Sequence, residues 1–169
     1  MGRSIVLGKK LEEALNAQMN REFYSFYLYL AMSAHFESNN LKGFAHWLRI
    51  QAKEELEHAM KFYDYMAQRG ARPALRQIDA PTSKWKTHAA VFEDAYKHEQ
   101  KVTKYISELV DLARGEVDHA TEVFLQWFVT EQVEEEMNAS EIESKMKLAA
   151  DYPGALFVID GELGKRASK

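Results

Sequence analysis

The chain has 169 residues, a formal charge of −4 and no cysteine. Its length predicts a single domain over residues 1–169 with one core, and the absence of cysteine excludes disulfides, a thiol nucleophile and cysteine-bound zinc or iron within it. No apolar run approaches the ~20 residues of a membrane span. Because Met1 to Leu7 lack the long apolar stretch of a signal peptide, a cytoplasmic location is expected.

The first predicted helix runs from about Lys9 to Glu37, and Asn39-Asn40 ends it. Its inward positions recur every three or four residues, which is the spacing of one helical face. They are Leu11, Leu15, Met19, Glu22, Phe26, Tyr29 and Ser33. An acidic residue, Glu22, therefore lies in the middle of a mostly apolar face.

The second predicted helix runs from about Leu41 to Arg69, and Gly70 supplies its stop signal. Its inward positions are Leu41, Phe44, Leu48, Ala52, Glu55, Ala59, Phe62 and Met66. His58 follows Glu55 by three residues, so the carboxylate and the imidazole share a face and can bind the same cation.

A long connection from Ala71 to Lys86 has three residues typical of turns, Pro73, Pro81 and Ser83, and no helical pattern. A crossover of this length makes the second and third helices parallel. The third helix is predicted from about Thr87 to Arg114, closed by Gly115. Its inward positions are Val91, Phe92, Ala95, Glu99, Val102, Ile106 and Leu109.

The fourth helix is predicted from about Glu116 to Leu148. Its inward positions are Phe124, Phe128, Gln132, Glu135, Ala139, Ile142 and Met146. A second Glu-x-x-His, from Glu116 to His119, lies at the start of this helix, where acidic residues suit the helix dipole. This second copy is therefore placed away from the bundle centre.

A short apolar segment, Ala155 to Leu163, predicts a fifth helix at about residues 153–163. It is too apolar for a solvated tail, so burial against the bundle or other subunits is expected. Gly164 to Lys169 is expected to be a frayed basic tail. The predicted fold class is all-α: a four-helix bundle over about residues 9–148, with a long crossover between helices two and three and a short C-terminal fifth helix.

Each of the four long helices carries an inward acidic residue near its midpoint: Glu22, Glu55, Glu99 and Glu135. Burying an isolated ionised carboxylate costs several kcal/mol even after relaxation. Since the midpoints of a four-helix bundle share one height, the four acids can meet there. Cations among them would make the cluster tolerable, so the sequence predicts a metal site inside the bundle.

Three further acids flank this set: Glu54, Glu131 and Glu134. They could build a secondary metal position, or they could belong to solvated helix faces, and the pattern leaves both interpretations open. Two aromatic residues, Tyr29 and Trp127, can likewise be packing residues. With the seven candidate acids set aside, 19 acidic residues remain against 22 basic ones, so the net negative charge comes from the predicted site. Nothing in the charge pattern suggests a nucleic-acid surface.

The donor set of the predicted site is mostly carboxylate oxygen with one imidazole. Such ligands suit iron or manganese, and bridging carboxylates would hold two ions side by side. Zinc with the same ligands stays open on spacing alone. Iron is favoured because paired redox ions would explain why so many carboxylates gather.

Six motifs make the chain resemble the non-haem bacterial and archaeal ferritins over nearly its whole length. They are Asn20-Arg-Glu-Phe-Tyr-Ser25, Tyr27-Leu-Tyr-Leu30, Gly43-Phe-Ala-His-Trp47, Glu54-Glu-Leu-Glu-His58, Lys97-His-Glu99 and Phe128-Val-Thr-Glu-Gln-Val-Glu-Glu-Glu136. The resemblance implies that Glu22, Glu55 and His58 hold one iron. It also implies that Glu55 bridges to a second iron held by Glu99 and Glu135.

The same resemblance implies roles for the residues around the pair. Gln132 would lie beside the second iron, and Tyr29 near both as a hydrogen-bonding and redox partner. Trp127 matches a nearby electron donor. The flanking acids, with one di-iron ligand shared, match a third iron position: Glu54, Glu131, Glu134 and the shared Glu135.

Two departures from related families narrow the resemblance. Bacterioferritins carry a second Glu-x-x-His on the fourth helix, where this chain has Asn138, and a haem-binding methionine where it has Leu56. Haem is therefore not expected. Rubrerythrins also have the second motif and usually a cysteine-ligated iron domain, and this sequence has neither.

The resemblance implies an iron-storage protein with ferroxidase activity. Fe(II) would be oxidised by dioxygen or hydrogen peroxide at the dinuclear centre, and Fe(III) mineral would be deposited inside a shell that the family builds from twenty-four identical subunits. Neither a nucleic acid nor a membrane is an expected partner. Two alternatives stay open: a di-metal oxidase or peroxidase without storage, and a structural shell subunit whose acids only nucleate mineral.

Overall fold

A computed structural model describes residues 6–168 of the chain. Its helices are α1 (Lys9–Ser38), α2 (Lys42–Gln68), α3 (His88–Gly115), α4 (His119–Ala149) and α5 (Pro153–Leu163), and the described residues include no strand. The predicted all-α class, with a long connection after α2 and a short fifth helix, is confirmed. Residues 1–5 and Lys169 lie outside the described residues. The first group belongs to the segment predicted to lack a signal peptide, and Lys169 belongs to the predicted frayed tail.

The predicted limits of α1, α2 and α3 agree with the structure to within one residue. The predicted start of α4 at Glu116 was wrong, because the helix begins only at His119. Val117 has a positive φ of 55°, which lies outside the range of a right-handed α-helix. The Asp118 carboxylate then accepts a hydrogen bond from the Thr121 N–H at 3.0 Å and caps the helix.

The first two helices form an antiparallel hairpin. At one end of the pair, the Leu7 N–H donates to the Arg69 carbonyl at 3.3 Å. Further along, the Ser33 hydroxyl donates to the Ala45 carbonyl at 2.8 Å. The start of α1 therefore lies beside the end of α2, as the short turn between them requires.

Contacts between α1 and α3 fix the direction of the crossover. His35 and His88 lie within 3.1 Å, and Ser25 and His98 within 2.7 Å, so α1 and α3 run in opposite directions. Since α2 also runs opposite to α1, the predicted parallel arrangement of α2 and α3 is confirmed.

The apolar core is divided into two clusters. One includes Phe36, Phe44 and Phe92, and the other includes Leu15 and Phe62. On each long helix the mid-helix acid lies between residues of the first cluster and residues of the second. The polar layer of the bundle is thus closed by apolar packing above and below.

Nearly all the residues predicted to face inward are buried. The exceptions are Phe26 and Phe124, which are half-buried. Their neighbours Ser25 and Leu125 are fully buried instead. The inward face of α1 and of α4 is therefore turned slightly from the predicted one at these two positions.

The fifth helix packs on α2 and α4 through Ile159 and Leu163. Its approach to α2 depends on Gly43, because a Cβ there would lie 1.7 Å from the Asp160 carbonyl oxygen. The Phe44 N–H also donates to the Asp160 carboxylate at 3.0 Å. One face of this apolar helix is thus buried against the bundle.

The segment after α5 does not fray as predicted. The Arg166 side chain donates to the Trp47 carbonyl at 3.2 Å, to the Gln51 side-chain oxygen at 3.0 Å and to the Glu54 carboxylate at 2.6 Å. The prediction failed because a basic tail has no periodic pattern that reveals a buried acidic partner elsewhere in the chain.

Replacing Gly43 by alanine tests the docking of α5. The added methyl would overlap the Asp160 backbone, so we expect the free energy of unfolding to fall by about 1–3 kcal/mol, as in other overpacked sites. Hydrogen exchange in α5 should rise with it. The matched control is Gly161→Ala on α5, where an added Cβ meets nothing within 4 Å. Equal stability of the two variants would contradict this account.

Candidate metal centre

The four mid-helix acids meet in the interior of the bundle. Glu22 comes from α1, Glu55 from α2, Glu99 from α3 and Glu135 from α4, and all four are buried. His58 is buried one turn after Glu55 on α2. The structure therefore brings together the five side chains that the sequence places at the bundle centre.

Two groups of these side chains can each hold a cation. Within each group, the possible ligand atoms all lie within 4.8 Å of one another. The groups are Glu22, Glu55 and His58, and Glu55, Glu99 and Glu135. Because Glu55 belongs to both groups, the two candidate positions are adjacent and would share one carboxylate.

A third group of possible ligands contains His58, Glu131 and Glu135. Glu131 is half-buried, whereas Glu134 is exposed. Neither Glu54 nor Glu134 falls in any of the three groups found among residues 6–168. The structure thus places Glu131 beside the centre, and the third position stays a prediction for Glu54 and Glu134.

Amide side chains orient the carboxylates. Gln51 donates to Glu55 and to Glu135, each at 2.9 Å. Gln18 donates to Glu22 at 2.6 Å. A donor that holds a ligand carboxylate fixes the direction of its oxygen atoms toward the ion.

Gln18 and Gln51 are functional candidates that the sequence reasoning missed. A usable signal was present, because each lies four residues before an acid of the centre and therefore one turn away on the same helical face. A buried amide at that spacing reaches the carboxylate directly. Both amides are fully or almost fully buried.

Two predicted neighbours of the centre, Gln132 and Tyr29, contact the same acid. The Gln132 amide donates to a Glu99 oxygen at 3.1 Å, and the Tyr29 hydroxyl donates to the other oxygen. Trp127 lies edge-on to the His58 ring, with 5.4 Å between the ring centroids, and is 43% exposed. It therefore spans the distance from a candidate ligand to the surface.

Burial strongly perturbs the acids. It raises the pKa of Glu22 and of Glu99 to about 8, with help from the charge of Glu55. It also raises the pKa of Glu135 well above its usual value, as do the charges of Glu55 and Glu99. One oxygen each of Glu22 and Glu135 is buried without a hydrogen-bond partner in the described part of the chain. Cations would stabilise the charge and occupy these oxygens.

Glu55 and His58 form the charged pair of the metal-free centre, with 3.5 Å between carboxylate and ring. Burial opposes both charges, but the hydrogen bond and charge of His58 lower the pKa of Glu55. Burial likewise opposes charging of His58, yet the hydrogen bond and charge of Glu55 raise its pKa to about 9. A metal ion must therefore displace protons in order to bind.

The second Glu-x-x-His is not part of this centre. His119 is exposed and lies 3.7 Å from Glu122 at the start of α4. It is absent from the metal-binding groups found among the described residues. Its predicted position away from the bundle centre is confirmed.

Four long helices with a crossover after the second, and a buried carboxylate cluster with one Glu-x-x-His, define the class of ferritin-like metal-binding bundles. The ferritin-like domain family matches residues 12–149. The chain belongs to this ferritin family, which supports a role in iron storage. No helix within residues 6–168 is both long and apolar enough to cross a membrane.

Individual relatives agree with this assignment. The chain is 43% identical over 161 residues to a bacterial non-heme ferritin of Bacteroides fragilis (strain 638R), covering 95% of this chain and 100% of that protein. It is 38% identical over 161 residues to a bacterial non-heme ferritin of Staphylococcus aureus (strain USA300), covering 95% of this chain and 97% of that protein.

Among solved structures, the fold is similar to an open pore ferritin from the hyperthermophilic archaeon Archaeoglobus fulgidus. The TM-score is 0.94 at 48% identity, over 95% of this chain and 99% of that one. A humanized archaeal ferritin matches with a TM-score of 0.95 at 48% identity, over 96% and 99% of the two chains.

The metal-free protein should lose stability as the pH rises from about 5 to about 9. Glu22, Glu99 and His58 have folded-state pKa values of about 8, 8 and 9, above their usual values. The folded state therefore binds more protons than the unfolded state in this window, so raising the pH favours unfolding. The lowered pKa of Glu55 acts only below this range. Calorimetry should show that the unfolding temperature of the metal-free protein falls as the pH rises. The fall should be shallower in the double variant Glu22→Gln, Glu99→Gln. Equal slopes in the two proteins would contradict the raised pKa values of these acids.

Metal binding at neutral pH should release protons. Because Glu22, Glu99 and His58 hold protons in the metal-free centre, we expect Zn(II) bound at both positions to displace at least about three per subunit at pH 7. Titration calorimetry in buffers of different ionisation enthalpy counts them. The control is Glu57→Gln, at an exposed acid of α2, the helix that carries His58. This variant should release as many protons as the unaltered protein. Binding without proton release would show that the acids are already ionised.

Proposed function

We propose that this protein is an iron-storage ferritin with ferroxidase activity. It oxidises Fe(II) at a dinuclear centre and deposits the Fe(III) product as mineral inside a shell of identical subunits. The observation that supports this most strongly is the pair of adjacent ligand groups that share the buried carboxylate of Glu55. A passive mineral surface would need exposed acids and no such buried pair.

Each iron position has its own ligands in this proposal. Glu22, Glu55 and His58 hold one Fe(II), and Glu99 and Glu135 hold the other, with Glu55 as the bridge. Hard carboxylate donors favour Fe(III) over Fe(II), so they lower the free energy of the oxidised state. Two ions held side by side can together transfer two electrons.

The balance of the reaction is simple. Two Fe(II) ions lose one electron each, and dioxygen takes both electrons with two protons to give hydrogen peroxide. When hydrogen peroxide is the oxidant, the same two electrons and two protons give water. The two apolar clusters on either side of the centre limit the access of bulk water to it.

Neighbouring side chains position the reacting ligands. Gln132 and Tyr29 both donate to Glu99, so they hold this carboxylate in one orientation. Tyr29 is also a buried phenol in contact with Glu99 and is assigned as a redox partner of the centre. Trp127, between His58 and the surface, is assigned as an electron donor.

A third iron position is proposed at Glu54, Glu131 and Glu134, with Glu135 shared. The group formed by His58, Glu131 and Glu135 supports binding on this side of the centre. No haem is proposed, because the position where bacterioferritins carry the haem-binding methionine is Leu56.

The shell is proposed to contain twenty-four copies of this chain in the cytoplasm. Large apolar side chains left exposed from the end of α4 through α5 support assembly, because exposed apolar patches mark interaction surfaces. They include Leu148, Tyr152, Phe157 and Val158, each at least 69% exposed. A di-metal oxidase without storage would have no shell, so particle size separates the two functions.

Replacing the shared ligand tests the proposed activity. Glu55→Ala removes one ligand from both positions, so the initial rate of Fe(II) oxidation should fall by more than the about 10–100-fold that is typical for loss of a residue supporting a ligand. Stopped-flow absorbance after mixing Fe(II) with dioxygen measures it. Light scattering should show the same large particle as before.

Glu57→Ala is the matched control, because this glutamate is two residues away and exposed. Its oxidation rate should equal that of the unaltered protein. Unchanged fast oxidation in Glu55→Ala would refute the dinuclear assignment, and a small oligomer in the unaltered protein would refute the storage shell.

A further inference from the structure

The segment after α5 turns back onto α2 and places one arginine beside the metal centre. The Arg166 guanidinium lies 4.3 Å from the centroid of the Trp47 ring and donates to the Trp47 carbonyl at 3.2 Å. The Arg166 carbonyl oxygen lies 2.9 Å from the His46 ring nitrogen. Main chain and side chain are therefore both held against the same helix.

The guanidinium reaches an acid of the proposed third iron position. One of its nitrogens lies 2.6 Å from a Glu54 oxygen, and the two side chains are only 15% and 9% exposed. Such a pair is largely removed from solvent screening, so it differs from the exposed ion pairs elsewhere on the surface. Arg166 thus places a positive charge directly against one carboxylate oxygen of Glu54.

The same nitrogen connects Arg166 to the dinuclear centre. It donates to the Gln51 side-chain oxygen at 3.0 Å. The Gln51 amide nitrogen in turn donates to Glu55 and Glu135 at 2.9 Å each. Arg166 therefore selects the amide orientation in which Gln51 donates to both candidate ligands.

The arginine is presented by a docked element. The close approach of Gly43 to Asp160 fixes α5, and Arg166 follows only three residues after its end. Its guanidinium loses little further freedom when it pairs with Glu54, because the chain before it is already ordered. Arg166 can therefore compete effectively with a dissolved cation for the Glu54 carboxylate.

From these contacts we propose that Arg166 is a tethered cation that competes with metal for Glu54 and thereby sets the affinity of the third iron position. The inference rests on the proposed function, because it requires that position. A metal ion that binds the Glu54 oxygen meets the guanidinium charge at short range. An ion that takes the Glu54 Oε2 held by Arg166 must therefore displace the guanidinium, and by linkage the bound ion loosens the C-terminal segment to the same degree.

Removing the arginine tests the competition directly. In Arg166→Gln the third Zn(II) per subunit should bind about tenfold more tightly, within the range typical of coupled sites. The first two ions should bind no more tightly than before, because the variant removes only the contact that holds the Gln51 amide behind Glu55 and Glu135. Anaerobic Zn(II) titration calorimetry of the assembled protein measures the three affinities. The matched control is Lys165→Gln, an exposed neighbour of equal charge, which should leave all three unchanged.

Two further variants separate competition from a purely structural role. Arg166→Lys keeps the charge without the planar fork and should bind the third ion with an intermediate affinity. In Glu54→Gln the third affinity should be weak, and adding Arg166→Gln should then change it little. Hydrogen exchange of residues 164–168 should rise when the third ion binds to the unaltered protein.

The outcomes distinguish the inference from the proposed function. If two Zn(II) ions bind normally but the third affinity is equal in Arg166→Gln and in the unaltered protein, the competition is refuted and the ferroxidase proposal stands. If Arg166→Gln changes all three affinities alike, the arginine only supports the fold and the inference fails. If no Zn(II) binds at the dinuclear centre, both proposals fail.

Discussion

Burial of four carboxylates at one height of the bundle is the constraint on which the rest of the structure depends. Without cations the charge is managed in two ways. Glu55 pairs with His58, and burial raises the pKa of Glu22 and Glu99 to about 8, so that they keep protons at neutral pH; burial also raises the pKa of Glu135. Both arrangements are weaker for stability than an apolar layer of the same size. The layer is therefore best explained as a binding site held in place by the remaining core.

The remaining core has the form that such a site needs. Apolar clusters on both sides exclude water, and each long helix crosses from one cluster to the other through its acid. Amide groups then set the directions of the oxygen atoms: Gln18 contacts Glu22, and Gln51 contacts Glu55 and Glu135. Through Gln51 the orientation extends outward to the C-terminal segment. Ligand geometry, helix packing and the docking of α5 are thus parts of one arrangement.

Helical periodicity was enough to predict the fold class, the limits of α1 to α3 and the inward direction of the mid-helix acids, because all three follow from a repeat of 3.6 residues. It failed where a single backbone angle sets the start of a helix, as at Val117 before α4. It also failed where partners are distant in sequence, as for Arg166 with Glu54, or where an amide supports an acid one turn away, as at Gln51. Which acids act as metal ligands stays a prediction, because spacing restricts the faces and not the occupant.

The central claim is that this buried layer holds two iron ions that share one carboxylate. The most direct measurement is anomalous X-ray scattering at the iron edge from crystals soaked anaerobically with Fe(II). The account predicts two strong peaks a few ångströms apart on either side of Glu55, one beside His58 and the other beside Glu99. Peaks confined to surface acids, with none inside the four-helix bundle, would contradict it.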